Sequence, residues 1–79
     1  MAAKLTAVQR AVIRHIDTIF WDTAEQVAVR TQSRTALGCT VVLNRLVAKG
    51  LVDTHRFHTG KMGYRLTQEG AKARREATT

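Results

Sequence analysis

The stretch LNRLVAKGLVDTHRF, residues 43–57, contains the change of pattern that decides the fold. Up to Lys49 its apolar residues recur at helical spacing, and Gly50 then supplies a typical helix end. From Leu51 onward the residues favour extended structure, and the glycine in the tip HTGK, residues 58–61, suits a tight turn. Residues 51–66 are therefore predicted to form a β-hairpin that directly follows a helix.

The helix before this hairpin is expected at about residues 33–49, after the polar segment TQSRT, in which Thr31 and Ser33 are cap-type residues. On a helical wheel it has two distinct faces. An apolar stripe comprises Ala36, Cys39, Leu43, Leu46 and Val47, and the opposite face carries Arg34, Leu37, Val41, Asn44 and Arg45. The stripe is expected in the core, with Cys39 as a buried, inert thiol. The opposite face is left for a partner.

Two further helices are expected toward the N-terminus. Thr6 with Gln9 forms a capping-box pattern that predicts a helix at about 7–18, and Thr23 with Gln26 repeats that pattern before a short helix at about 24–30. Trp21, in the apolar stretch between them, is expected to pack in the core. After the hairpin, Thr67 is expected to cap a short helix, QEGAKARREA.

This order of elements predicts a mainly α protein with a small β-hairpin, in the α+β class. Three helices form the core, the hairpin forms a wing, and a short C-terminal helix follows, as in the winged helix-turn-helix. A length of 79 residues allows one domain, expected to be ordered from about residue 5 to 75.

Two motifs make the chain resemble the DNA-binding core of MarR-type bacterial transcriptional regulators. The Leu-x-x-x-Gly-Leu-Val run is matched by Leu46, Gly50, Leu51 and Val52, and the Leu-Thr-x-x-Gly that closes the wing is matched by Leu66, Thr67 and Gly70. The resemblance spans about residues 5–75 and implies the winged-helix scaffold. The sequence departs from the family in lacking its long terminal helices and the Asp-x-Arg pair at the wing tip, so no small-molecule effector is expected.

Charge points to a polyanionic partner. The chain carries 13 Lys and Arg against 6 Asp and Glu, a net charge of +7, with a pI near 10.9. Residues 34–76 hold nine positive and three negative side chains, net +6, whereas residues 4–30 hold four and three, net +1. Double-stranded DNA is therefore the expected partner, with the third helix in the major groove and the wing on the backbone or in a minor groove.

Candidate DNA contacts follow from this placement. Arginine can bind guanine, asparagine and glutamine can bind adenine, hydroxyl groups suit phosphates, and apolar side chains suit thymine methyl groups. The candidates are Gln32, Ser33, Arg34, Thr35, Leu37, Val41, Asn44 and Arg45 on the helix, and Arg56, Lys61 and Arg65 on the wing.

No enzymatic, metal or cofactor site is expected. His15, His55 and His58 lack metal-ligand spacing, and no phosphate loop or catalytic triad can be assembled. The absence of a signal-like or membrane-spanning apolar run predicts a cytoplasmic protein.

The preferred hypothesis is a sequence-specific transcriptional regulator that binds DNA as a homodimer. One alternative is a winged-helix module that binds protein, favoured by Leu37 and Val41 if they are exposed. Another is an architectural, replication or excision protein that binds DNA without sequence preference. Duplex RNA is disfavoured because its major groove is too narrow for a helix.

Overall fold

The structure is a computed structural model that describes residues 4–31 and 35–78. In chain order, the elements are α1 (Ala7–Ile13), β1 (Asp22–Thr23), α2 (Ala24–Thr31), α3 (Ala36–Ala48), β2 (Val52–Arg56), β3 (Met62–Leu66) and α4 (Gln68–Thr78). The strands form an antiparallel sheet in the order β1-β3-β2. The predicted class is confirmed: helices dominate, and the β2–β3 hairpin forms the wing. The short strand β1 was not predicted.

Threonine side chains cap the helices. Thr6 and Gln9 form a complete capping box at α1, and Thr23 and Gln26 exchange the same bonds before α2. The hydroxyl of Thr35 accepts from the Gly38 amide at 3.0 Å, so α3 begins at Ala36, three residues later than expected. Ser33, one of the predicted caps, lies outside the described residues.

Thr67 ties α4 to the end of α3. Its hydroxyl accepts from the Gly70 amide at 3.0 Å and donates to the carbonyl of Gly50 at 2.8 Å. Gly50 has φ of 77°, a left-handed conformation that suits glycine, and the Leu51 amide bonds back to Leu46. The predicted end of the third helix and the predicted cap of the fourth are both confirmed.

The expected extent of α1 is wrong, because the helix ends at Ile13 rather than near Thr18. The carboxylate of Asp17 accepts the amide of Ile19 at 2.8 Å, which holds the chain in a local turn. The carbonyl of Asp17 is taken by the amide of Leu66 at 2.8 Å. One local bond and one bond from Leu66 of β3 therefore hold residues 17–19 outside the helix. Ile19 and Phe20 are each 68% exposed.

One apolar core is shared by the helices and the wing. The apolar stripe of α3 is confirmed, since Cys39, Leu43 and Leu46 are fully buried. Among the described residues, the buried apolar side chains are Val12, Ile13, Ile16, Val27, Ala28, Cys39, Val42, Leu43, Leu46, Leu51, Val52, Tyr64, Leu66 and Ala73.

Trp21 is not in that core. It is half-buried on the outer face of the sheet, where its ring centroid lies 5.3 Å from that of His55, which in turn lies 5.2 Å from Phe57. The rings are accommodated because Gly63 leaves room beneath them: a Cβ there would lie 2.9 Å from Phe57 and from the Cβ of Trp21. The core-packing expectation for Trp21 is therefore wrong. Its ring helps to join the three strands.

Candidate nucleic-acid interface

The outer face of α3 is a continuous surface that the core leaves free. Leu37 and Val41 are 77% and 47% exposed, and Asn44 and Arg45 are exposed beside them. At about 100° per residue these four positions fall within roughly a third of the helix circumference. The predicted division of the helix into two faces is confirmed. The candidates Gln32, Ser33 and Arg34 lie outside the described residues and stay predictions.

The polar groups on this face are available to a partner. The side chains of Asn44 and Arg45 make no hydrogen bond or ion pair with any residue in the described ranges. The hydroxyl of Thr35 accepts from Gly38 while its own proton remains free to donate. Arginine forms bidentate bonds with guanine, and asparagine does so with adenine. The arrangement can therefore bind base edges and a phosphate from one helix.

The two candidate arginines of the wing lie on opposite faces of the sheet. Side chains alternate along a strand, so Arg56 shares a face with the buried Val52 and lies opposite Met62. Arg56 is exposed where this face extends beyond the core. Arg65 points to the outer face, where its guanidinium carbon lies 4.1 Å from the centroid of the Trp21 ring. Arg65 also donates a hydrogen bond of 3.4 Å to the carbonyl of Ile19.

The third wing candidate, Lys61, follows the turn at the wing tip. Gly60 adopts φ of 90° in that turn, and the amide of Phe57 bonds to the Lys61 carbonyl at 2.8 Å. The ammonium group of Lys61 lies 3.3 Å from the Glu25 carboxylate of α2, and both side chains are more than half exposed. A surface pair of this kind is weak, so Lys61 can exchange Glu25 for a phosphate.

Tyr64, on β3, belongs to the scaffold. It is 4% exposed on the core face of β3, and burial raises the pKa of its phenol. Side chains alternate between the two faces of the hairpin, so Tyr64 lies on the same face as Leu66 and Val52 and not on the face of Trp21. Tyr64 therefore supports the wing from beneath and is not part of the exposed surface.

Within the described ranges, no three His, Cys, Asp or Glu side chains are grouped so as to hold a metal ion. The described helices are also too short or too polar for any of them to span a membrane.

Solved structures resemble this arrangement along nearly the whole chain. The transcriptional regulator PcaV from Streptomyces coelicolor, solved with its natural ligand, matches with a TM-score of 0.78 and 26% identity. The MarR family transcription regulator SP03579 matches with a TM-score of 0.82 and 21% identity. The chain has a MarR-like winged-helix fold. The multiple antibiotic-resistance repressor MarR from Listeria monocytogenes 4b F2365 shares this MarR-like fold, with a TM-score of 0.75 and 20% identity.

Each match covers 94% of this chain but only 50–53% of the other protein, so the chain spans about half the length of these regulators. No protein-family model and no curated protein sequence matches the chain. The MarR-like resemblance therefore rests on shape together with the two sequence motifs at residues 46–52 and 66–70.

Proposed function

We propose that this chain binds double-stranded DNA in a sequence-specific manner and regulates transcription. In this proposal α3 enters the major groove, and the wing contacts the backbone or a minor groove. The observation that carries it is the outer face of α3, where Asn44 and Arg45 are exposed without partners among the described residues.

Two further observations support the proposal. The regulators of similar shape are described as transcriptional regulators or repressors, which makes regulation the expected class. The net charge of +7 also favours a phosphate backbone, and residues 34–76 contribute +6 of it. Because DNA is the partner, we place the protein in the cytoplasm.

The test is selection from a random duplex pool, followed by affinity measurements on the selected and a scrambled duplex at several salt concentrations. With about five phosphate contacts, log affinity should fall against log salt with a slope near −4.5. A preference of about 10³-fold or more for the selected duplex would support sequence-specific binding. A steep slope without any preference would instead make the chain an architectural DNA-binding protein.

Arg45→Ala and Arg10→Ala provide a matched pair for that test. Both substitutions remove one exposed positive charge, but Arg10 lies on α1 and bonds to the carbonyl of Leu5. Arg45→Ala should weaken binding to the selected duplex by about tenfold, with a smaller effect from Arg10→Ala. Equal losses would mean that charge alone, and not the face of α3, determines binding.

A protein-binding module is the second candidate, because Leu37 and Val41 are exposed on the same face of α3. DNA contact would place these side chains against thymine methyl groups, whereas a protein partner would bury them in an apolar interface. Absence of DNA binding at low salt would favour this candidate over the regulator.

We also propose that the chain acts as a homodimer, since two copies would occupy half-sites about 34 Å apart. The candidate surfaces are α1, with Arg14 directly after it, and α4. Among their residues, Ala7 and Arg10 are exposed, Ala11 is half-buried, and Arg14 bonds at 3.1 Å to the carbonyl of Ala77. Sedimentation with and without a two-site duplex tests this, and one copy per duplex would refute it.

A further inference from the structure

A cavity of about 280 Å³, largely open to solvent, lies at the C-terminal end of α1, where α2 and α4 approach it. The lining residues are Arg14, His15, Ile16, Asp17, Thr18, Arg30 and Arg74. None of them belongs to α3 or to the wing. The cavity is therefore formed by elements other than those of the candidate DNA interface.

Three arginines are held at this cavity by backbone carbonyls. Arg30 and Arg74 each donate at 2.9 Å, to the carbonyls of His15 and Ile16, so that the two guanidinium groups are anchored on neighbouring peptide units. Arg14 donates at 3.1 Å to the carbonyl of Ala77. A guanidinium has five N–H donors, and these contacts use only one from Arg14 and one from Arg74. Most of their donors remain available.

The charges at the cavity are unbalanced. Arg30 forms a bidentate pair with Asp22, whereas Arg14 and Arg74 form no ion pair with any residue that the structure describes. Asp17 contributes one negative charge, and its Oδ1 already accepts from the amides of Ile19 and Phe20. Two guanidinium groups without an ion pair, those of Arg14 and Arg74, therefore share the cavity with the single carboxylate of Asp17. A bound anion would relieve the repulsion between them.

We infer that this cavity binds a small phosphate-type oxyanion, through Arg14 and Arg74 with a contribution from Arg30. Guanidinium groups match the geometry of phosphate oxygens and form strong, charge-assisted hydrogen bonds with them. The cavity volume is several times the roughly 30 Å³ that one water molecule occupies in the liquid, which leaves room for such a group. The ligand is either inorganic phosphate or a phosphomonoester such as a nucleoside monophosphate.

The experiment is a titration of the DNA-free protein with sodium phosphate, followed through the Nε–H resonances of the arginines and the amides of residues 15–18. Sodium chloride at matched ionic strength is the control. Saturable shifts centred on Arg14 and Arg74, absent with chloride, are expected. Shifts that do not saturate, or that chloride reproduces, would overturn the site.

Arg14→Gln and Arg10→Gln form the matched pair of variants. Arg10 lies on α1 and Arg14 directly follows it, and each donates one bond to a backbone carbonyl. Only Arg14 lines the cavity. Arg14→Gln should weaken phosphate binding by about tenfold, while Arg10→Gln should leave it unchanged. Equal affinities in all three proteins would mean that the arginines only brace the backbone.

Thr18→Glu tests the site without removing any arginine bond to the backbone. Thr18 lines the cavity and is half-buried, so a carboxylate there would compete for the guanidinium groups. Loss of phosphate binding with an otherwise unchanged amide spectrum is expected, and wild-type binding would contradict the proposal.

Two further titrations identify the source of the phosphate. Tighter binding of a deoxynucleoside monophosphate than of inorganic phosphate would support a phosphomonoester ligand, and the reverse order would support free phosphate. A short duplex that shifts the same arginine resonances with equal strength would overturn a separate small-anion site. Because the main titration contains no DNA, its failure would leave the proposed DNA-binding function untouched.

Discussion

Asp22 is a buried carboxylate whose charge is balanced by Arg30. The side chain of Asp22 is 6% exposed, and the two groups make bidentate hydrogen bonds of 2.7 and 3.1 Å. The bonds with Asp22 raise the pKa of Arg30, so the guanidinium stays charged. Arg30→Gln should lower the free energy of unfolding by about 2 kcal/mol, because it leaves a buried carboxylate without its ion pair.

Urea unfolding at neutral pH measures this loss, with Lys61→Gln as the control. Lys61 and Glu25 are separated by 3.3 Å but are both more than half exposed, so Lys61→Gln should change stability by less than about 0.5 kcal/mol. Similar losses in the two variants would show that burial of Asp22 has no energetic consequence.

Gly70 and Gly38 occupy equivalent positions, each three residues after a capping threonine. A Cβ on Gly70 would collide with the carbonyl oxygen of Leu51, whereas one on Gly38 would lie 3.3 Å from the Thr35 hydroxyl. Gly70→Ala should therefore lower stability by about 2 kcal/mol, and Gly38→Ala should be close to neutral because helix propensity offsets the close contact. Thermal unfolding of both variants checks the difference, and a stabilising Gly70→Ala would contradict the packing described.

At the scale of elements, local signals and long-range contacts decided different features. The threonine caps, the helix end at Gly50 and the hairpin follow from neighbouring residues, which is why the sequence predicted them. The bond that holds Asp17 outside α1 comes from Leu66, and the position of Trp21 depends on Arg65 and His55. In each case the partner is more than 30 residues away in the chain. A prediction from periodicity alone therefore made α1 too long and placed Trp21 in the core.

Asp17 should make the turn after α1 sensitive to acid. The hydrogen bond from the Ile19 amide is the largest of the contacts that lower the pKa of its carboxyl. This stabilisation is complete above the ordinary pKa of 3.8 and is lost as the pH falls through the lower value of the folded state. Asp17→Asn should flatten the profile of unfolding free energy in that acidic range. Asp53→Asn, at an exposed position on β2, is the control and should keep the wild-type profile.

The two faces of the wing should respond differently to loss of an arginine. Arg56→Ala should weaken DNA binding on all sequences and reduce the magnitude of the salt slope by about 0.9, without changing stability. Arg65→Ala should lower the unfolding free energy by about 0.5 to 1 kcal/mol, because it removes the stack on Trp21. Urea unfolding and salt-dependent binding of both variants test this. A loss of stability in Arg56→Ala, or none in Arg65→Ala, would contradict the assignment.

At the scale of the whole molecule, the outer face of α3 could be predicted from the sequence, whereas the faces of the wing and the arginine cavity could not. The outer face of α3 follows from helical periodicity, because Leu37, Val41 and Asn44 repeat on one side. The positions of Arg56 and Arg65 on opposite faces depend on strand register, which the sequence leaves open. The arginine cavity brings Arg14, which follows α1, together with Arg30 of α2 and Arg74 of α4, and no local sequence pattern marks that meeting.

Because α1, α3, the wing and α4 all contribute to one core, the molecule should unfold as a single cooperative unit. Ile13 of α1 is fully buried, whereas Val29 of α2 is 75% exposed. Ile13→Val should lower the unfolding free energy by about 1 kcal/mol. Val29→Ala removes more atoms, yet should change it by less than about 0.5 kcal/mol. Far-UV circular dichroism follows the helices, and Trp21, the chain's single tryptophan, reports fluorescence from the outer face of the sheet. In Ile13→Val both signals should shift to lower urea by the same amount, since the wing has no core of its own. A shift in the dichroism alone would show that the wing remains folded independently of α1.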